Sequence, residues 1–282
     1  MPAESPTNAI DWQGHRGARG LAPENSIKSF LRAMDYPAIQ TLELDLAVSQ
    51  DRQLIVSHEP YMGAHICRHP DGAPVTEAQE DSLRLFEMTA EQIQTYDCGS
   101  RGNAKFPDQQ PEPTYKPLLE DVVYTVDAYA DQKGKPRPRY NIEIKSRPEW
   151  DAKLTPPPVE FARLVMDKLT ELDLRERSTV QSFDMRVLEA VHRLAPQQQT
   201  ALLTEETNGL KADLKRLSYQ PEIVSPYYQL VSRNYVEQAH ARGIRVVPWT
   251  VNEVADMRAM LAFGVDGIIT DYPNRIAEAV AE

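Results

Sequence analysis

The chain has 282 residues, 41% of them hydrophobic and 26% charged, the proportions of an ordinary soluble globular protein and not of a disordered one. That length holds one large domain or two small ones. The formal net charge of −11 argues against a broad nucleic-acid surface, which needs clustered Lys and Arg, but leaves room for a small anion held by a few local cations.

In chain order, residues 1–9 are polar and read as a loose lead-in. The opening MPAESPTNAI lacks the charged start and apolar core of a signal peptide. A short strand around Asp11 to Gly14 runs into GHRG, where glycines let the backbone turn sharply. Pro23 to Ser26 reads as a helix start capped by Asn25 or Ser26, followed by Ile27, Phe30, Leu31 and Met34 at helical spacing. Thr41 to Val48 alternates as a strand, with Leu42, Leu44 and Leu46 on one face and Thr41, Glu43, Asp45 and Ala47 on the other. A shorter run, Gln53 to Ser57, ends at His58.

Residues 59–116 break the rhythm with many prolines, several glycines and both cysteines, and read as an insertion with one helical piece near Thr89 to Tyr96. Cys67 and Cys98 are too few for a disulfide framework; free thiols and a single bridge both remain open. Beyond the insertion, helical patterns at Leu118 to Ala130, Phe161 to Leu172, Met185 to Leu194 and Val254 to Phe263 alternate with strands. These strands are Tyr140 to Lys145, Ser178 to Phe183, Gln199 to Leu203, Glu222 to Ser225, Ile244 to Val251 and Gly267 to Thr270. With the strands near residues 12 and 44 they number eight. Such alternation implies parallel pairing with right-handed crossovers. The predicted fold is an α/β, TIM-type (β/α)₈ barrel over residues 10–282, with the 59–116 insertion between the second and third barrel strands. No apolar run approaches the roughly 18 residues of a membrane span.

The candidate chemistry lies at the strands and their carboxyl ends, the face that carries the active site in such barrels. Glu43 and Asp45 share one face of a strand. Inside a barrel they would repel each other and lose hydration, and a hard cation would relieve both costs; a solvated charged face is the plainer alternative. Glu143 and Lys145 repeat the geometry, as a third metal ligand and a phosphate contact, or as a salt-bridged pair. His15 and His58 each end a strand and suit proton transfer at a phosphodiester. His65, His69, His192 and His240 are read as structural. Arg16 offers a bidentate fork for phosphate or is a surface arginine, Trp249 is an apolar wall or barrel packing, and Asp271 a cap or positioning group.

The combination GHRG-x₅-PENS-x₃-F, then ELD, then a strand ending in His58, resembles the glycerophosphodiester phosphodiesterase family. NIEIK, QSFD, VVPWTVN and GIITDYP follow in the family's order, so the resemblance spans essentially the whole chain. It implies His15 and His58 as the acid/base pair, and Glu43, Asp45 and Glu143 as ligands of one divalent cation, Ca²⁺ or Mg²⁺. It further implies Arg16 and Lys145 at phosphate and Trp249 near the substrate. Two departures stand out: Glu59 follows the second histidine where the family usually has Asp, and YMGAHICRHPDG replaces a Thr- and Gly-rich opening of the insertion.

The implied activity is metal-dependent hydrolysis of a small-molecule glycerophosphodiester to sn-glycerol 3-phosphate and an alcohol, with no nucleic-acid partner and no integral membrane segment. The expected compartment is the cytoplasm, or the periplasm or exterior if a leader has been removed. A phospholipase D-like or phosphoinositide-cleaving barrel enzyme is the nearest alternative. A non-catalytic phosphate-ligand binder is a second, which two intact histidines argue against.

Overall fold

The structure, a computed structural model, describes residues 10–206 and 208–281; the expected lead-in at residues 1–9 lies outside them. Nine strands form: β1 (Asp11–Gly14), β2 (Ile39–Val48), β3 (Leu54–Val56), β4 (Arg139–Ile144), β5 (Ser178–Ser182), β6 (Gln199–Thr204), β7 (Ile223–Pro226), β8 (Arg245–Val246) and β9 (Gly267–Thr270). The helices are α1 (Ile27–Met34), α2 (Glu77–Glu80), α3 (Ala90–Gln94), α4 (Leu119–Lys133), α5 (Pro158–Glu171), α6 (Met185–Leu194), α7 (Leu210–Leu214), α8 (Arg233–His240), α9 (Val254–Phe263) and α10 (Ile276–Val280).

Eight strands run parallel in the order β8-β7-β6-β5-β4-β2-β1-β9, while β3 folds back antiparallel on β2. Asp266 N donates to Val246 O, and Ile269 N donates to Pro248 O at 3.0 Å, drawing β9 to the β8 segment and nearly closing a (β/α)₈ barrel. The eighth expected strand, Ile244 to Val251, is regular only at Arg245–Val246. Pro248 has no N–H for the ladder, although Val247 N and Trp249 N on either side still reach Val224 O and Pro226 O. Ser26, one of the two expected caps, caps α1 by accepting from Ser29 N.

Alternation in β2 sorts its side chains. Leu42, Leu44 and Leu46 are fully buried in the layer between sheet and helices, with Phe30 of α1 and Val122 and Val126 of α4. Glu43 and Asp45 point the other way, into the barrel. That interior has two unlike halves. On β6, β7, β9 and the β8 segment it is apolar, with Ala201, Ile223, Val247 and Ile269 packed together. On β1, β4 and β5 it is polar: Asn141 Nδ2 donates to Gln13 Oε1 at 2.8 Å and to Gln181 Oε1 at 3.1 Å. Branched apolar residues usually fill such a core; here amides form a floor beneath the carboxylates.

Residues 59–116 add no barrel strand and gather a core of their own, including Met62, Ile66, Val75, Leu85 and Ile93, set against Ala47 and Ile55. Cys67 and Cys98 are joined by a disulfide within it, which answers the question the sequence left open. The far end of this segment leans on the β1–α1 loop. Gln109 Nε2 donates to Arg19 O at 2.8 Å, and the Arg19 guanidinium stacks 4.6 Å over Phe106. Because Leu44 sits in the dense layer behind the polar strand face, Leu44→Ala is expected to lower unfolding free energy by about 2–5 kcal/mol in urea titrations.

Candidate active site

The carboxyl end of the barrel gathers the chemistry in one pocket, lined by His15, Arg16, Glu43, His58, Glu143 and Lys145 on the polar side and by Phe183, Leu203 and Trp249 on the apolar side. The β2–β4 register explains the acid cluster. Asp45 lies opposite Glu143, and Glu43 opposite Asn141. Oxygens of Glu43, Asp45 and Glu143 consequently lie within 4.8 Å of one another, and all three residues are buried.

These acids do not share one electrostatic state. Burial, and then the charge of Asp45, push the Glu43 carboxyl well above the usual range. Burial also raises Glu143, against the opposing charge of Lys145. Burial alone would raise Asp45 too, but Arg16, followed by His58 and Lys145, holds it below the ordinary value. Glu43 is well tied: Oε2 accepts from Arg16 N and Oε1 from Gln181 Nε2, each at 2.9 Å. Asp45 Oδ2 accepts from Asn25 Nδ2 at 2.8 Å, while its Oδ1 is buried without a hydrogen-bond partner. An orphaned buried carboxylate oxygen beside two further acids is the donor set that a hard divalent cation needs. The residues present fit one.

Each histidine has its own carboxylate. His15 N accepts a place at the end of β1 by donating to Thr270 O, and the ring Nδ1 lies 2.7 Å from Asp271 Oδ1. His58 Nδ1 lies 2.7 Å from Glu59 Oε1. A carboxylate at Nδ1 fixes that nitrogen as the donor and leaves Nε2 of a neutral ring with its lone pair. Burial, and then the charge of Arg19, hold His15 down to about 4, so the ring is neutral at pH 7 and can accept a proton. The turn that presents it is tight: a Cβ at Gly14 would collide with the Gly17 carbonyl oxygen. Arg16 adopts the left-handed region at φ 50.

Arg16 and Lys145 face the pocket but are engaged by acids. Arg16 Nη1 donates to Glu24 Oε1 at 2.8 Å, and its Nε lies 3.1 Å from Asp45 Oδ2 in poor hydrogen-bond geometry. Lys145 Nζ lies 2.9 Å from Glu143 Oε1 and 3.9 Å from Asp45 Oδ1. Trp249 anchors its Nε1 on Ser225 O at 2.8 Å and meets Phe183 edge-on, with centroids 5.4 Å apart.

Seven of the eight sequence candidates thus line one pocket, and the eighth, Asp45, lies against it with a carboxylate oxygen within 4.8 Å of Glu43 and Glu143. Sequence reasoning missed Gln181, Asn25 as an Asp45 donor, Arg19, and Asn252, whose Nδ2 donates to Asp271 Oδ2 at 2.8 Å. It gave Asp271 a capping or positioning part; the residue binds His15, Arg19 and Asn252. A signal existed for Asp271, a carboxylate directly after the last strand. For Gln181 the QSFD segment marked the position, but its partner depends on strand register and carried no signal.

A model of the glycerophosphoryl diester phosphodiesterase family matches residues 15–275. The chain belongs to that family. A glycerophosphodiester phosphodiesterase of Bacillus subtilis (strain 168) is 30% identical over 267 residues, spanning 92% of this chain and 83% of the relative. A second, from Caldanaerobacter subterraneus subsp. tengcongensis, is 28% identical over 268 residues, 94% of this chain and 96% of the relative. A crystal structure from Silicibacter pomeroyi DSS-3, assigned to glycerophosphoryl diester phosphodiesterases, superposes with TM-score 0.83 at 29% identity over 98% of this chain and 94% of that one. A phosphodiesterase from Oleispira antarctica, solved with the product sn-glycerol-3-phosphate, shares the fold at TM-score 0.74 and 19% identity, covering 96% of this chain and 97% of that one. The family hydrolyses glycerophosphodiesters, and this chain is an enzyme of that class. No helix among the described residues is long and apolar enough to cross a membrane.

Proposed function

We propose that the enzyme releases sn-glycerol 3-phosphate and an alcohol from glycerophosphodiesters, using one divalent cation, Ca²⁺ or Mg²⁺, and the two histidines as acid and base. The observation that carries this reading is the joint geometry: three buried acids converge with an orphaned oxygen on Asp45, beside two imidazoles that each rest on a carboxylate.

Charge supports the cation. Around the pocket stand seven carboxylates, Glu24, Glu43, Asp45, Glu59, Glu143, Glu205 and Asp271, and five cations, Arg16, Arg19, Lys116, Lys145 and Arg147. With the acids ionised, two negative charges are left over, the deficit one divalent ion fills. Glu43, Asp45 and Glu143 would hold it. When bound, it supplies Lewis-acid neutralisation of charge at phosphate oxygen.

The chain's own groups do the rest. Arg16 and Lys145 turn from acid partners to phosphate oxygens and hold the diester. One imidazole takes the proton of the attacking hydroxyl, whether from water or from the substrate itself, and the other delivers a proton to the departing alkoxide. Asp271 and Glu59 keep each ring in the tautomer and orientation that this needs. Phe183, Leu203 and Trp249 wall the pocket and exclude water from one side.

Glycerol 3-phosphate release from glycerophosphocholine should fall to background in excess chelator and return with added Ca²⁺ or Mg²⁺. Undiminished turnover after complete metal removal would overturn the cation assignment. His15→Ala and His58→Ala should each lower kcat by at least about 10²-fold; near-wild-type rates in both would remove the acid/base roles.

The Cys67–Cys98 disulfide favours the oxidising alternatives, periplasm or exterior, over the cytoplasm, where such bonds are rare. Thiol titration of the denatured, unreduced protein should detect no free thiol. Two titratable thiols in freshly isolated protein would favour the cytoplasm instead.

A further inference from the structure

One buried cation enters the account above only through the charge balance. Lys116, at the return of the insertion, is 6% exposed. Its Nζ donates to Ser57 Oγ at 2.7 Å, and Ser57 Oγ donates to Glu59 O at 2.6 Å. Pro117 O, next along the chain, accepts from Val56 N at 2.8 Å and clamps this segment beside β3. Lys116, His58 and Glu24 line one narrow cavity behind the catalytic pocket. Lys116 forms no ion pair within 4.0 Å among the described residues. An ammonium buried with one neutral acceptor is costly unless its field compensates something.

The uncompensated group is next door. Glu59 Oε1 is used by His58, but Glu59 Oε2 is buried and lacks any hydrogen-bond partner. The closest cationic candidate, His65 Nε2, stands 4.0 Å away. A carboxylate with one satisfied oxygen can rotate or take up a proton, and either would release the ring it orients. Burial alone would raise the Glu59 carboxyl; the bond to His58, and then the charges of His58, Lys116 and Arg16, hold it below the usual range.

We propose that Lys116 is a positioning residue for the His58–Glu59 pair: its buried ammonium supplies the compensation that Glu59 Oε2 lacks, and through Ser57 it fixes the Glu59 backbone. The inference rests on the acid/base reading of His58. It also gives a reason why Glu serves at position 59. The longer side chain keeps its first oxygen on His58 and leaves its second buried within the field of Lys116.

Other charged or titratable groups face the pair: Arg16 from the β1–α1 loop, Glu24 before α1, Asp45 on β2, Glu143 on β4, and Tyr61 and His65 from the insertion. All of these remain when Lys116 changes, so the test isolates one charge. Lys116→Met keeps the length and removes the charge. Its kcat for glycerophosphocholine should fall about tenfold or more, with KM within about threefold, as for loss of a group acting on proton transfer. The limb of the kcat–pH profile that His58→Ala abolishes should move up by about half a pH unit or more, because removing a nearby cation favours protonated imidazole and carboxyl. Lys116→Arg, which keeps the charge, should restore the position of that limb. Should Lys116→Met fail to fold, Ser57→Ala, which removes the one acceptor of Nζ among the described residues, should lower kcat in the same direction with KM held.

A Lys116→Met enzyme with the wild-type kcat and profile overturns the proposal, as does an equal shift in Lys116→Arg. If His58→Ala is inactive while Lys116→Met matches wild type, only the role of Lys116 falls. If His58→Ala is itself near normal, the acid/base reading falls and takes this inference with it.

Discussion

Buried negative charge that needs compensation organises this barrel. Two strands in register bring Asp45 level with Glu143, and the alternation of β2 adds Glu43. Placing three carboxylates in a barrel interior is unfavourable by any account of desolvation. The surroundings respond at every level. Arg16 donates its backbone N–H to one acid and aims its guanidinium at another, while Asn25, Gln181 and Lys145 supply further polar contacts. Even the floor below is built of amides and not of valine and leucine.

The division of the interior into polar and apolar halves follows from the same constraint. Strands β1, β2, β4 and β5 carry the charged and amide groups, and the remaining strands carry Ala201, Ile223, Val247 and Ile269. A glycerophosphodiester has one strongly anionic centre flanked by less polar arms. A pocket with ionic groups along one arc and aromatic rings along the other matches that asymmetry. The two imidazoles stand at different points of the polar arc, each held by a carboxylate that does not belong to the triad of acids. The carboxylates that orient the rings are thus distinct from the three clustered acids, although His15 Nε2 comes within 3.8 Å of Glu43 Oε2.

The architecture was legible in the sequence because its signals are local. TLELDLAV alternates strictly, and β2 forms with the leucines outward and the acids inward. Met185–Leu194 and Val254–Phe263 have helical spacing and form helices with the expected bounds. The eighth strand came out shorter because Pro248 interrupts a run that is otherwise apolar and β-branched. The site was legible where chemistry sits at strand ends, as with His15, His58 and Asp271. It was illegible where partners meet through register or through a distant return of the chain. Gln181 reaches Glu43 from 138 positions away, and Lys116 meets Ser57 across the whole insertion. The pairing of Cys67 with Cys98 likewise depends on how the insertion folds back, over a separation of 31 residues.

The insertion encloses its own apolar core around a covalent bridge and meets the barrel mainly through Ala47, Ile55 and the β1–α1 loop. A segment that folds largely on its own terms can be rewritten without disturbing the layer behind β2. Natural variation can therefore remodel the body of this segment while its two ends, which carry Glu59 and Lys116 beside His58, stay fixed. Drift in the body of the insertion and constraint at its anchoring ends can thus coexist on one scaffold.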